Sequence, residues 1–394
     1  MHAHESRGST GPLTDAIAVV GVCTAERRAH ARALALSRRM TLVPAQQIAQ
    51  GSHVLASALG LNAFLRGSGG LVVEYPAGTP GHEVVGELAD PRTGTALREV
   101  VCVVDGMHFW SDLWASDFVP VAQDRVVAYG AARAGGGAEG VGGAAGTGGA
   151  HRTGDTGDTG VTRTDPASEA ALVARAELLV SQIEFASTVL LTNTRRMVEE
   201  DRSLLVALLG HLNPRARVVE DDATGGTAAA ASGDRPALTQ EQTGPGWVAI
   251  LNDEFTPPQT HERITALRYV QMRPFHPQRL ADCLSRLLTG RDSGQLVRSV
   301  GFCRLATRPH VTAQWDHVGG MLSLTPAQHD HALSGDDEPL AFGQDLALIG
   351  VGLDPQSVRA ELDAAALTNA ELMSGPHVWA RYRDPLPPWA DGGA

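Results

Sequence analysis

The sequence predicts a two-domain α/β protein, with a mostly parallel sheet wound by helices and then a smaller α+β domain. Three observations predict it. Four short apolar runs, residues 16–20, 71–74, 100–105 and 189–192, have the unbroken hydrophobicity of strands buried on both faces. Stretches of helix formers separate them, as the crossovers of a parallel sheet require. The chain has 394 residues, 43% of them hydrophobic and 19% charged, which is enough for two cores.

Residues 1–13 are expected to be a disordered tail. The first run stops at Gly21, and residues 25–39 (AERRAHARALALSRR) read as a helix, so strand–turn–helix opens the fold. The second and third runs end in acids, Glu74 and Asp105, and the fourth at Asn193. Polar residues just beyond buried strands mark where a doubly wound sheet opens its ligand crevice. Residues 134–160 contain 12 Gly in 27 positions and a GDTGDT duplication, the composition of a flexible insertion. Residues 169–186 read as a helix leading into the fourth strand.

Residues 14–220 thus form the first domain, 221–246 a linker, and 247–394 the second domain with its tail. In the second domain, residues 264–271 alternate like a strand. RPFHPQRL then turns into a helix over 277–288, with Pro277 at its start. Strands are expected over 300–306, 321–324 and 346–351, a helix over 355–367, and an extended DPLPPW ending past Tyr382.

All 32 positive charges are Arg; the chain has no Lys. That excludes Schiff-base chemistry on lysine and an ammonium clamped on phosphates. The net charge of −12 argues against a surface that binds nucleic acid throughout. Between Arg263 and His310, however, nine Arg face two acids, Asp282 and Asp292, a local excess of seven. Arg273, Arg279, Arg298, Arg304 and Arg308 are the candidate partner-binding residues of that stretch; a solvated strand-and-helix face accounts for the same excess. The four scattered cysteines form no CxxC and read as buried thiols, not a disulfide framework. With no membrane span or secretory leader legible, the expected location is cytoplasmic.

Several motifs, in this order, resemble the CobW family of P-loop GTPase-like proteins, whose members serve cobalt, nitrile hydratase and zinc metallochaperone work. Val73-Glu74-Tyr-Pro-Ala-Gly78 stands where the family has its ETSG-type acid, and Val104-Asp105 matches its strand ending in Asp. Gln182-Ile-Glu-Phe-Ala186 followed by Leu-Leu-Thr-Asn193 matches the QIEFAD helix and the strand bearing NKxD, and Asn213-Pro-Arg-Ala216 matches NPxA. Arg273-Pro-Phe-His-Pro277, Val297-Arg-Ser-Val-Gly301, Gly319-Gly320 and Ala347-Leu-Ile-Gly-Val-Gly-Leu-Asp354 look like the CobW C-terminal domain. The resemblance implies a P-loop NTPase-like sheet, here a degenerate G domain, followed by that C-terminal domain. RPFHPQRL, LATRP, LDAAAL and YRDPLPPW are most similar to actinobacterial members that recruit a ribosome hibernation factor under zinc limitation. The partners so implied are a ribosome or a hibernation factor, with a homo-oligomer also open.

The resemblance implies GTP and Mg²⁺ at the first turn, where a working P-loop needs several glycines, a Lys on the phosphates and a Ser/Thr on the metal. This chain reads Gly21-Val-Cys-Thr24-Ala-Glu-Arg27-Arg28 there. Gly21, Thr24, Arg27, Arg28 and Asn193 are the cofactor candidates, with Arg27 or Arg28 replacing the ammonium. The family's guanine-reading Asp falls at Arg196, which has no acceptor. Glu74 and Asp105 are the catalytic candidates, near where Mg²⁺ and the attacking water would lie. The family's CxCC motif for zinc is missing; His329-Asp-His331 is a tight imidazole pair, as are His2 and His4 in the N-terminal tail, and two ligands do not make a closed site. The expected function is a non-hydrolysing recruitment factor tied to zinc status and ribosome hibernation. Its alternative is a GTPase or zinc metallochaperone that uses Arg for the P-loop Lys.

Overall fold

The first predicted strand, β1 (Thr14–Val20), lies third in a six-stranded parallel sheet. The structure, a computed structural model, describes residues 13–49, 69–121, 171–221, 236–239, 244–289, 294–334 and 338–389. Nearly all of the expected N-terminal tail, the glycine-rich insertion and most of the linker fall outside these residues.

The sheet runs β2 (Thr41–Val43), β3 (Leu71–Glu74), β1, β4 (Thr95–Asp105), β7 (Thr188–Thr192) and β8 (Arg217–Glu220), all neighbours parallel. Alternate side chains along β1 separate two cores, as the period of two requires. Ile17 and Val19 face α1 (Thr24–Arg38), meeting Ala31, Leu34 and Ala35. Ala16, Ala18 and Val20 face the opposite layer. That layer includes α3 (Gly81–Leu88), α5 (Arg175–Glu184) and α6 (Glu199–Leu212), with the short α2 (Ala45–Ala49) and α4 (Phe109–Leu113) at its margins. Because the strands are parallel, Gly21, Glu74, Asp105 and Asn193 all emerge at the same end of the sheet.

The helix expected over 169–186 is corrected at its start. Residues 171–174 form β6 (Ala171–Ala174), which pairs antiparallel with β5 (Phe118–Val121). Val173 sits opposite Val119, and strand pairing overrides the local helix preference of Ala and Leu. The helix begins only at Arg175, whose backbone N–H and guanidinium are both held by Asp117.

The second unit is a five-stranded antiparallel sheet, ordered β12 (Met321–His329), β11 (Arg308–Val318), β10 (Gln295–Leu305), β13 (Gln344–Val351) and β9 (Ile264–Gln271). Strand β11 is a correction, because the sequence analysis assigns nothing to it. It buries the polar Thr312 and His317 beside Ala313 and Trp315, which hides its apolar alternation. One face carries α8 (Pro277–Thr289) and α9 (Pro355–Ala365), packed on Tyr269, Phe275 and Trp315. The other face sends Val297, Val318, Ala347, Ile349 and Val351 into the core of the first unit. There α7 (Gly246–Leu251) joins the two units; a Cβ on Gly246 would stand 1.9 Å from the carbonyl of His211, so only glycine allows that approach. Short helices α10 (Asn369–Ser374) and α11 (Pro376–Trp379) close the fold. Among the described residues, no helix is long and apolar enough to cross a membrane.

Candidate functional site

Between β1 and α1 the chain has only three residues, Gly21, Val22 and Cys23. Gly21 adopts φ +150°, and a Cβ there would come within 2.5 Å of the Val103 carbonyl oxygen. The space this short turn leaves is filled by Arg27. Its Nη1 donates to the Gly21 carbonyl at 2.5 Å, and its Nε donates to Glu74 Oε1 at 3.3 Å. Both side chains are almost wholly buried, at 3% and 1% exposure. The other oxygen of Glu74 accepts the backbone N–H of Ala45 at 3.4 Å. Burial draws the Arg27 pKa down, and the Glu74 carboxylate opposes it.

Around this pair the other candidates have separate fates. Thr24 is exposed at the first position of α1, and Arg28 is half-buried with its Nε enclosed and without a hydrogen-bond partner. The Cys23 thiol donates to the Val103 carbonyl at 3.1 Å, and burial, with Glu26 nearby, pushes it up to about 12. It is a thiol at neutral pH, not a nucleophile. Asp105 is buried; its Oδ1 accepts the Met107 N–H at 2.9 Å, and its Oδ2 lies 2.7 Å from His108 Nδ1. That hydrogen bond raises the pKa of the exposed imidazole and turns Nε2 outward, an arrangement fit to accept or hold a proton. Asn193 is exposed in the left-handed conformation at φ 61°, with Arg195 and Arg196 also exposed beside it. The fold therefore gathers the predicted crevice residues, but Glu74 is committed to Arg27 and Asp105 to His108.

The expected arginine surface is corrected by the structure. Arg298 is buried between Glu184 (Nε to Oε1, 2.7 Å) and Asp316. Arg304 is buried and forks onto Asp330 at 2.8 and 2.9 Å. Arg279 forks onto Glu371 at 2.8 Å, holding that carboxyl down at about 2. Arg308 pairs with Asp384 at 3.1 Å, and half-buried Arg273 donates to the Leu367 carbonyl at 3.3 Å. These cations bind this chain's own acids and carbonyls.

His329 ends β12 and His331 lies in the following turn, both exposed, with ring centroids 5.3 Å apart. The intervening Asp330 is held by Arg304, so it adds no third ligand. Among the described residues, no three His, Cys, Asp or Glu side chains are grouped to hold a metal ion. His2 and His4 lie outside the described residues.

Other polar residues that shape the site have no assigned role in the sequence analysis. Gln182 Nε2 donates to the carbonyls of Ala77 and Thr79, and Ser181 Oγ accepts the Gly81 N–H at 3.0 Å. Together they fix the segment that follows Glu74. Two residues further along α5, Glu184 bonds Arg298 of the antiparallel sheet. Beside this contact lies a cavity of about 180 Å³, lined by His82, Glu177, Phe185, Trp247, Gln314 and Asp316. The signal was present in QIEF, yet the sequence does not show that its glutamate points away from the crevice.

Among known families, the model described as the cobalamin synthesis protein cobW C-terminal domain matches residues 264–366. A zinc-regulated GTPase metalloprotein activator of Dictyostelium discoideum is 26% identical over 240 residues, 53% of this chain and 48% of that protein. A zinc chaperone of Mycobacterium tuberculosis is 28% identical over 244 residues, 55% of each chain. The chain spans about half the length of the curated relatives it matches. A Zn(II)-bound GTPase, YjiA from E. coli, aligns over 91% of this chain and 100% of its own at 13% identity; its TM-score of 0.31 is too low to bear on the fold. The chain is thus homologous to CobW-type zinc-regulated GTPases and zinc chaperones, most specifically in its C-terminal domain.

Proposed function

We propose that the chain serves zinc handling as a GTPase-fold factor with a closed phosphate position, working by binding and not by GTP turnover. The observation that carries this is the place of Arg27. A triphosphate with Mg²⁺ needs a run of backbone N–H groups curled around it, a free cation and a metal-binding hydroxyl. The three-residue turn leaves no such curl, the Arg27 guanidinium stands in its place, and Glu74 adds buried negative charge beside it. The residues present do not fit GTP and Mg²⁺, so no hydrolytic step is derived. Arg27 is also removed as a substitute for the P-loop ammonium, whereas Arg28, one residue further along α1, keeps its Nε without a hydrogen-bond partner.

The zinc half of the proposal is supported by the names of the relatives. Those names favour a metallochaperone-type role over a ribosome-directed one, and Arg298 and Arg304 of the candidate partner-binding set are internally paired.

Calorimetric titration with GTP and Mg²⁺ tests the closed site. The expected result is no saturable heat; micromolar binding that Arg28→Ala abolishes overturns it. Equilibrium dialysis with Zn²⁺ tests the other half. Retained zinc that falls when His329 and His331 are both replaced by Ala supports it, and a chain that retains none sinks it.

A further inference from the structure

Past Tyr382 the tail lies beyond the matched stretch 264–366, yet it is held as a ligand would be. The Arg308 guanidinium stacks 4.2 Å from the centre of the Trp389 ring. Its Nη2 reaches Asp384 Oδ2 at 3.1 Å and donates to the carbonyls of Leu386 at 3.3 Å and Pro387 at 3.0 Å. Thr307 Oγ1 donates to the same Asp384 oxygen at 2.6 Å, and Trp389 Nε1 donates to the Leu324 carbonyl at 2.9 Å. Leu386 and Trp389 pack, half-buried, against the same apolar core as Leu322 and Leu324 of β12. One arginine thus reads an acid, two backbone carbonyls and an aromatic face spread over six residues of extended chain.

We propose that Thr307, Arg308, Leu322 and Leu324 form a recognition groove for an extended, proline-bearing peptide with an acid five residues before a tryptophan. Here the chain's own residues 384–389 occupy it. Proline fixes much of such a segment in its extended form before binding, which lowers the ordering cost. The in-cis tail benefits from a high effective concentration, so it closes the groove against weak competitors. It is nevertheless an incomplete ligand, because Arg308 Nη1 is enclosed and has no hydrogen-bond partner. The occupant in trans is a segment of a partner protein with the same acid–proline–tryptophan chemistry and a further acceptor for that N–H. This keeps Arg308 as a partner-binding residue, acting through a groove that reads a peptide and not through a positive surface.

The test uses the full chain carrying Asp384→Ala and Trp389→Ala, and a fluorescein-labelled peptide RDPLPPW followed by anisotropy. The tail-weakened chain is expected to bind the peptide at least tenfold more tightly than the wild type. Adding Arg308→Ala should reverse that gain, and circular dichroism reports whether that variant folds. If it does not, Arg308→Lys keeps the charge but loses the stacked fork, and the same tenfold loss is expected. No binding to the tail-weakened chain, or binding indifferent to Arg308, overturns the proposal. Light scattering over a concentration series distinguishes the source of the occupant. A wild-type dimer that Trp389→Ala abolishes would assign it to a second copy and overturn the partner protein.

Discussion

Arg27 and Glu74 set what the crevice can do, and their pairing has a measurable cost when broken. Removing one partner of a buried ion pair leaves the other charged and desolvated, which costs about 3–5 kcal/mol. Arg27→Met is therefore expected to lower the unfolding free energy by that amount in urea denaturation. The double variant Arg27→Met with Glu74→Leu should recover most of it, because two apolar groups of similar volume need no partner. Equal losses in the single and double variants would show that Arg27 acts through packing alone. The sequence names both residues as candidates, and Gly21, Glu74, Asp105 and Asn193 do meet at one end of the sheet. What it does not reveal is that Arg27 turns inward; that follows from a three-residue turn bringing the first turn of α1 against β3. The arginine stretch fails for a related reason. Counting charges between Arg263 and His310 takes in only two acids, whereas Arg279 and Arg298 find Glu371 and Glu184, 92 and 114 residues away.

At the level of elements, motif residues that could pass for functional ones turn out to fasten helices to strands. Asn213, at the C-terminal end of α6, is fully buried. Its Nδ2 lies 2.8–3.0 Å from the carbonyls of Ile183, Glu184 and Ala186, and its Oδ1 accepts the N–H groups of Arg215 and Ala216. One amide thus ends α5, shapes the turn into β7 and starts β8. Asn213→Ala would strand several buried backbone groups at about 1–3 kcal/mol each, so a loss of at least 3 kcal/mol is expected in denaturant unfolding. A loss under 1 kcal/mol would mean that water replaces the amide. Strands β1, β3, β4 and β7 were legible because each contains an unbroken apolar run buried on both faces. Strand β6 was not, because ALVA suits a helix as well as a strand and only its partner β5 decides. Strand β11 was hidden by His317 and Thr312, polar residues buried where the alternation calls for apolar ones.

Across the whole molecule, the two units share one core and one buried charge cluster. Arg298 on β10 joins Glu184 of the first unit to Asp316 of the second. Although burial pulls its pKa down, the two carboxylates raise it, so Arg298 stays charged. His317 lies next to this cluster, wholly enclosed, with Nε2 2.7 Å from the Gly319 carbonyl and no partner on Nδ1. Burial lowers its pKa from 6.5 to about 4, with Arg298 adding to the effect and Asp316 opposing it. The folded form therefore disfavours the proton that the unfolded chain takes up below pH 6.5. Stability from this group is complete above that pH and falls as the pH drops toward 4, by about 1.4 kcal/mol per pH unit. Between pH 7 and pH 5 the wild type should thus lose about 2 kcal/mol through His317 alone. His317→Gln keeps an N–H for Gly319 and cannot be protonated, so it should lose less stability over the same interval by that amount. Urea denaturation of both proteins at the two pH values measures the difference, which cancels the contributions of His30, His211 and His276. Parallel acid losses in the two proteins would show that His317 is solvated, and that the junction opens before it protonates.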